Sequence, residues 1–233
     1  MINIVVVDDE KEIADLITLY LENENYNVFP FYDSTQALDF MNTHPIDLAI
    51  LDIMMPEMDG LTLVKKVREL HHFPILLVSA KDGEVDKITG LMMGADDYIT
   101  KPFQPLEIVA RVKAQLRRYT RYNPSIQKED NEKTILTVSD LSVDTDSREV
   151  YIGEKEISLT PTEFAILKIL MENNGKVVSS ESLFKQIWQD EYYVKNNNTI
   201  TVHVRHLREK LGDTLESSRF IKTIWGVGYK IEK

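Results

Sequence analysis

The 233-residue sequence contains no cysteine. Disulfide bridges, thiolate metal sites and a cysteine nucleophile are therefore excluded, and a reducing compartment suits the chain. No apolar run approaches the ~18–20 residues of a spanning helix. The opening Met1-Ile2-Asn3-Ile4 lacks the basic region and cleavage site of a secretory leader. The expectation is a cytoplasmic chain without a membrane segment. No internal repeat or low-complexity tract is visible. Positive charge is also scarce overall: the formal net charge is −11. That total argues against a nucleic-acid binder, but its distribution does not. Residues 1–120 carry 11 Lys/Arg against 20 Asp/Glu, whereas residues 195–230 carry 7 against 3. Local charge decides whether a phosphate backbone is attracted, and the last segment is locally basic.

Hydrophobic content of 43% and charged content of 28% are ordinary for a globular chain. Half the length would suffice to bury a core. The first half alternates two patterns. Short apolar runs at Ile2–Val7, Ile46–Leu51, Pro74–Val78 and Asp97–Thr100, with Tyr26–Phe29 as a fifth, read as buried strands. Helical spacing separates them, near 10–23, 34–43, 60–70, 84–93 and 105–119. Five strands alternating with five helices predict a doubly wound α/β domain with a parallel sheet over residues 1–119. Residues 120–133 are polar, contain Pro124 and have almost no apolar periodicity, so they read as a linker.

Residues 134–233 change style. Several short strands are expected over 134–158, with a turn at Asp144-Thr145-Asp146-Ser147. Thr160-Pro161-Thr162-Glu163 then announces a helix: Thr at the cap, Pro first inside, Glu three after the cap. Further helices are expected near 180–188 and 197–211. The chain closes with a hairpin, Ile221–Ile224 and Tyr229–Ile231, around Trp225-Gly226-Val227-Gly228. Strands, three helices and a closing hairpin are the order of an α+β winged helix.

Chemistry concentrates at predicted strand ends. Asp8 and Asp9 follow the first strand, Asp52 directly follows the apolar run Ile46–Leu51, and Lys101 follows the last strand. Ligands of open α/β sheets bind at the carboxyl ends of strands, where the strand order reverses. Three carboxylates meeting there repel one another unless a cation neutralises them, and an oxygen-only site of this kind suits Mg²⁺. A carboxylate in such a site can attack a phosphoryl group and become an aspartyl phosphate, with Lys101 stabilising charge on the phosphoryl oxygens. Paired Asp after a strand also caps the next helix in many proteins; the joint pattern with Asp52 and Lys101 is the specific signal.

In the second half, residues 198–211 place Ile200, Val204, Leu207 and Leu211 on one helical stripe. The other side carries Asn198, Val202, Arg205, His206 and Glu209, flanked by Thr201 and Arg208. A polar and basic face of this kind can enter a major groove, although an ordinary amphipathic surface helix has the same pattern.

The motifs Val7-Asp8-Asp9-Glu10, Leu51-Asp52-Ile53-Met54-Met55-Pro56 with Asp59-Gly60, Ser79-Ala80, and Gly94-Ala95-Asp96-Asp97-Tyr98 with Lys101-Pro102-Phe103 resemble the receiver domain of response regulators. The resemblance covers residues 1–118 and implies a flavodoxin-like (βα)5 fold. It implies Asp52 as phosphoacceptor, paired with a sensor histidine kinase. It implies Asp9 and Asp52 as Mg²⁺ ligands, Asp8 as a ligand through water, and the backbone carbonyl of Met54 as another. Lys101 would pair with the phosphoryl group, Ser79 would hydrogen-bond it, Tyr98 would turn inward behind it, and Lys101–Pro102 would be cis.

Ser158-Leu159-Thr160-Pro161-Thr162-Glu163-Phe164, Val204–Leu211 and Trp225–Tyr229 resemble the winged helix of the OmpR/PhoB class. That resemblance implies promoter DNA as partner, with Thr201, His203, Arg205 and Arg208 touching it and Lys222 and Lys230 holding phosphates. It implies that residues 188–197 form the loop that meets RNA polymerase. The class also dimerises on phosphorylation through one charged face, which implies pairs Lys87–Glu107, Asp97–Arg111 and Asp96–Arg118 between two copies; without the resemblance these six would read as a solvated surface. One position departs. Trp225 stands where the class commonly has an Arg that reaches into the minor groove, and Trp cannot make that charged contact. The stretches Glu84–Gly90 and Ala110–Tyr119 and the Trp-bearing wing are similar to the glycopeptide-resistance branch of the class.

The alternative from another class is a Mg²⁺-dependent phosphohydrolase that passes through an aspartyl phosphate. Such enzymes need a second carboxylate two residues after the nucleophile as acid and base. This chain has Met54 there.

Overall fold

The computed structural model describes residues 1–121, 135–188, 197–213 and 218–232. Most of the expected linker and of the loop at 188–197 lie outside the described residues. The chain divides into two compact units, Met1–Leu116 and Arg117–Lys233.

The first unit alternates β1 (Asn3–Val7), α1 (Lys11–Glu22), β2 (Asn27–Phe31), α2 (Ser34–Thr43), β3 (Leu48–Asp52), α3 (Gly60–Arg68), β4 (Ile75–Ser79), α4 (Glu84–Met92), β5 (Asp97–Thr100) and α5 (Pro105–Arg121). The five strands form one parallel sheet in the order β2-β1-β3-β4-β5. The alternation predicts a doubly wound parallel sheet, and this order is the flavodoxin-like one that the receiver resemblance implies, with its reversal between β1 and β3. Strand residues of one parity, such as Ile4, Val6, Ile50, Leu76 and Ile99, join α1 and α5 in one core cluster. Those of the other parity, including Val5, Leu51 and Leu77, are equally buried, as are Ala37, Met41, Leu63 and Val64 of α2 and α3. Burial on both faces is why these strands read as continuous apolar runs rather than alternations.

Two strands differ most from expectation. β2 continues through Pro30 to Phe31, because β2 is an edge strand, where a missing N–H costs little. β3 begins two residues late and takes in Asp52 as its last residue.

The second unit opens with an antiparallel sheet, β6 (Ile135–Val138), β7 (Leu141–Asp144), β8 (Val150–Ile152) and β9 (Lys155–Glu156). Three helices follow: α6 (Pro161–Glu172), α7 (Ser180–Trp188) and α8 (Asn197–Leu211). The reciprocal capping box of α6 is present, with Thr160 Oγ accepting the Glu163 N–H and Glu163 accepting the Thr160 N–H at 2.8 Å. β11 (Ile221–Ile224) and β12 (Gly228–Ile231) form the closing hairpin. β12 also pairs with β10 (Val178–Ser179), a strand too short to leave a sequence pattern. Gly228 is required there: a Cβ would lie 2.1 Å from the Val178 carbonyl oxygen.

Candidate functional site

The register of the first sheet lines up the carboxyl ends of its strands. Val7 pairs with Leu51, Asp52 with Val78, and Ser79 with Thr100. Asp8 donates its N–H to the Phe31 carbonyl at 3.1 Å, and Lys101 donates its N–H to the Ser79 carbonyl at 2.7 Å. The residue after each strand is thereby fixed beside its neighbours. Carboxylate oxygens of Asp8, Asp9 and Asp52 come within 4.8 Å of one another. The Lys101 ammonium sits 2.9 Å from Asp8 Oδ2 and 3.0 Å from Asp52 Oδ1. Glu10, which the motif included without a role, lies 3.2 Å from the same ammonium.

Asp8 and Asp52 are buried, whereas Asp9 is exposed. Asp9, Met54 and Lys81 line an open groove of about 430 Å³ that gives access to the cluster. Burial raises the pKa of both Asp8 and Asp52, and the hydrogen bond from Lys101 opposes the rise in each. For Lys101, burial works downward, but the hydrogen bonds and charges of Asp8 and Asp52 outweigh it and the net shift is upward. Apart from that ammonium, Asp8 Oδ2 and Asp52 Oδ1 have no donor among the described residues. One ammonium between two buried carboxylates, with a third carboxylate at the rim, leaves negative charge uncompensated. The oxygen-only set fits a hard divalent cation. Asp8 also accepts the Glu10 N–H at 3.0 Å in a turn just ahead of α1, but α1 has Glu10 at its N-cap and no side-chain cap, so helix capping does not account for Asp8.

Asp52 Oδ2 accepts the Met54 N–H at 2.7 Å. Behind it, Gly60 opens α3 against the strand end. A Cβ at Gly60 would lie 2.0 Å from the Asp52 carbonyl oxygen, so any larger residue displaces β3 or α3. Ser79, the last residue of β4, is fully buried and accepts the Lys81 N–H at 3.2 Å. Tyr98 on β5 already points inward, donating its hydroxyl to the Lys81 carbonyl at 2.8 Å. Burial raises its pKa. Lys101–Pro102 is cis.

The charged face differs from expectation at Asp96 and Asp97. Asp96 is 0% exposed and pairs with Arg68 of α3 at 2.8 Å, while also accepting the Ile75 N–H. It therefore belongs to the interior, not to the surface proposed for Asp96–Arg118. Arg68 reaches it by spanning from α3, donating also to the carbonyls of Gly94 and Phe73. Nothing in the local sequence marked Arg68 for that task. Asp97 is also buried, but Arg111 reaches it, and within one chain Arg111 bridges Asp97 and Glu107, each at 3.1 Å. Those two carboxylates, Asp97 first, raise the Arg111 pKa. Lys87 is half-buried on α4. The side chain of Arg118 lies outside the described residues.

In the second unit, Ile200, Val204, Leu207 and Leu211 of α8 are buried as the stripe predicts. The buried arc is wider than that stripe. His203, expected on DNA, is 2% exposed, and its ring lies 6.0 Å from that of Trp188. Arg208, also expected on DNA, is 8% exposed; its guanidinium donates to the Ile221 carbonyl and to Thr223 Oγ1, tying α8 to the hairpin. Val202 is buried too. The reason is that α8 packs against α6 and α7 on one side while Arg208 engages β11 on another. Thr201 and Arg205 are exposed, as a DNA-facing role requires. Lys222 and Lys230 both pair with Glu232, at 2.7 and 2.5 Å. Two further buried carboxylates had no functional signal and hold the unit together. Glu163 meets Lys210 of α8 at 2.6 Å, and Asp213 accepts the N–H groups of Arg219, Phe220 and Ile221.

Residues 4–113 match the response regulator receiver domain, and residues 154–231 match the C-terminal domain of transcriptional regulatory proteins. The chain belongs to the response regulators of the OmpR/PhoB type and is a DNA-binding transcription regulator. Regulatory protein VanR of Enterococcus faecium is 60% identical over 230 residues, covering 99% of this chain and 98% of that protein. The alkaline phosphatase synthesis transcriptional regulatory protein PhoP of Bacillus subtilis is 40% identical over 232 residues, 99% of this chain and 96% of that one. Among solved structures, a mutant of RitR matches over 100% of both chains, with 27% identity and a TM-score of 0.77. These relatives disfavour the phosphohydrolase alternative. No helix among the described residues is long and apolar enough to cross a membrane.

Proposed function

We propose that Asp52 accepts a phosphoryl group from a sensor histidine kinase and that this modification controls promoter binding by the C-terminal unit. The observation that carries this is the convergence of Asp8, Asp9, Asp52 and Lys101 at the β1/β3 reversal. In the transfer, a carboxylate oxygen of Asp52 forms a bond to phosphorus, the phosphorus–nitrogen bond of the phosphohistidine breaks, and the imidazole leaves. Lys101 balances charge on the transferred group, and the groove beside Asp9 and Met54 is the entry side. Asp8, Asp9, Asp52 and the Met54 carbonyl would hold Mg²⁺, which when bound offsets the charge of the carboxylates and the phosphoryl oxygens.

Ser79 and Tyr98 would register the new group and bias the surface of α4, β5 and α5 toward a homodimer using Lys87, Asp97, Glu107 and Arg111. The intrachain bridges of Arg111 would then exchange for contacts with the second copy. Dimerisation raises the effective concentration of the second DNA-binding unit. In that unit Thr201 and Arg205 are the exposed residues among the α8 positions expected on DNA. Likeness to VanR supports a membrane kinase of the VanS type as phosphodonor and genes of cell-wall glycopeptide resistance as targets, with RNA polymerase recruited at the promoter.

Incubation with acetyl phosphate and Mg²⁺ tests the first step. A slow, lasting gain of one phosphoryl mass is expected, absent in Asp52→Asn. Rapid multiple turnover of phosphoesters would support the hydrolase instead. Genome-wide footprinting of wild type beside Asp52→Asn tests the second step; equal occupancy by both would show that phosphorylation does not control binding.

A further inference from the structure

The ammonium of Lys101 is fully engaged. Three carboxylate oxygens surround its Nζ: Asp8 Oδ2 at 2.9 Å, Asp52 Oδ1 at 3.0 Å and Glu10 Oε1 at 3.2 Å. An ammonium has three hydrogens to donate. A phosphoryl oxygen arriving at Asp52 needs one of them, so one carboxylate has to let go.

Burial decides which. The side chains of Asp8 and Asp52 are each 2% exposed, whereas that of Glu10 is 62% exposed. A buried carboxylate that loses its cation carries a large desolvation penalty. An exposed one passes to water at little cost. Glu10 is the partner that can leave.

The backbone around Glu10 points the same way. Glu10 is the N-cap of α1, a position whose side chain commonly accepts an N–H of the first turn, yet Glu10 makes no such bond. Its side chain is spent on Lys101 instead, 91 residues along the chain. Its main chain is held on both sides. The N–H donates to Asp8 Oδ1 at 3.0 Å, and the carbonyl accepts from Ile13 and Ala14 at 2.9 and 3.1 Å. Lys101 is fixed in turn by its N–H on the Ser79 carbonyl at 2.7 Å. The pair therefore meets between two anchored backbones, and only the Glu10 side chain is free to swing into water.

We propose that Glu10 is a positioning residue: it occupies the third hydrogen of Lys101 at rest and yields it to the incoming phosphoryl group. It acts through Lys101 and does not touch the transferred group. The exchange has to be driven by the phosphodonor, so the pair slows phosphoryl uptake. This rests on the reading of Asp52 as phosphoacceptor.

Full-length wild type, Glu10→Gln and Glu10→Asp are treated with acetyl phosphate, each at a Mg²⁺ concentration that saturates it, and uptake is followed by intact mass. Gln keeps the size and removes the charge; Asp keeps the charge and shortens the reach by one methylene. Both variants should take up the phosphoryl group about threefold faster than wild type, the scale of one exposed charge pair. The advantage of Glu10→Gln should shrink as salt is raised. A second measurement involves no transfer: exchange of the Lys101 ammonium hydrogens with water, followed by nitrogen-15 magnetic resonance. It should be faster in both variants than in wild type. Equal uptake by wild type and Glu10→Gln, wild-type uptake in Glu10→Asp, or unchanged exchange in Glu10→Gln would each overturn the proposal. Wild-type uptake in Glu10→Asp alone would mean that the charge of Glu10 acts at a distance rather than through its contact. If wild type takes up no phosphoryl group, the Asp52 reading falls and this proposal with it; the exchange measurement separates that failure from a missing Glu10 contact.

Discussion

The strand ends of the first unit and the last helix of the second place charged residues under opposite rules. At the sheet edge, the charges that the sequence marked for chemistry lie at or beside the predicted positions and are left short of partners. Asp8 and Asp52 share one ammonium. On α8, two residues marked for DNA, His203 and Arg208, are buried and committed to the fold. The difference lies in how each element fixes direction. A parallel strand ends on one known edge, so the next side chain has little choice of location. A helix exposes whichever arc its neighbours leave free, and α8 has neighbours on more than one side.

Mutations can break or sharpen that contrast. The largest effect is expected at the edge: Asp52→Asn should lose phosphoryl incorporation completely, measured by intact mass after acetyl phosphate treatment. Next is Asp96→Ala, which removes the carboxylate that Arg68 holds inside the first unit. A loss of roughly 3 kcal/mol is expected in denaturant unfolding of the first unit, the scale of a broken buried pair. Unchanged stability with lost dimerisation would return Asp96 to the surface role.

Within α8 two arginines should separate cleanly. Arg208→Ala should destabilise the second unit by about 2 kcal/mol, since it strips charged donors from the Ile221 carbonyl and Thr223. Arg205→Ala should change stability by less than about 0.5 kcal/mol yet reduce the salt slope of DNA binding by about one. Equal unfolding curves for the two variants would contradict the assignment.

The smallest effect concerns Glu232. Its two lysines hold its pKa at about 2, below the ordinary 4.5. A depressed carboxylate stabilises the folded state above its unfolded pKa and loses that contribution as pH falls through the folded one. Glu232→Gln should therefore flatten the loss of stability between about pH 4.5 and 2. The group is exposed, so the change should be small and should shrink with added salt.

The alternation of strands and helices and the four site residues at strand ends were legible because burial on both faces leaves uninterrupted apolar runs whose ends are sharp; the order of the strands was not, since an apolar run does not name its neighbour. The capping box of α6 was legible because its residues are adjacent. β10 was not, since two residues carry no period. Arg68–Asp96 was not, because its partners are 28 residues apart and joined by a long side chain rather than a pattern. The widened buried arc of α8 was invisible for a related reason: a helical wheel displays one helix without what surrounds it.

Lys81 carries a consequence for timing. Its amide hydrogen is held by Ser79 and its carbonyl by Tyr98, so a single residue's backbone is clasped from both ends by the two side chains nominated as switch elements. Neither can move far without disturbing the grip of the other. Under the switch role proposed for Ser79 and Tyr98, this shared handle favours two concerted settings over a graded series, and replacing either clasping side chain should uncouple both together.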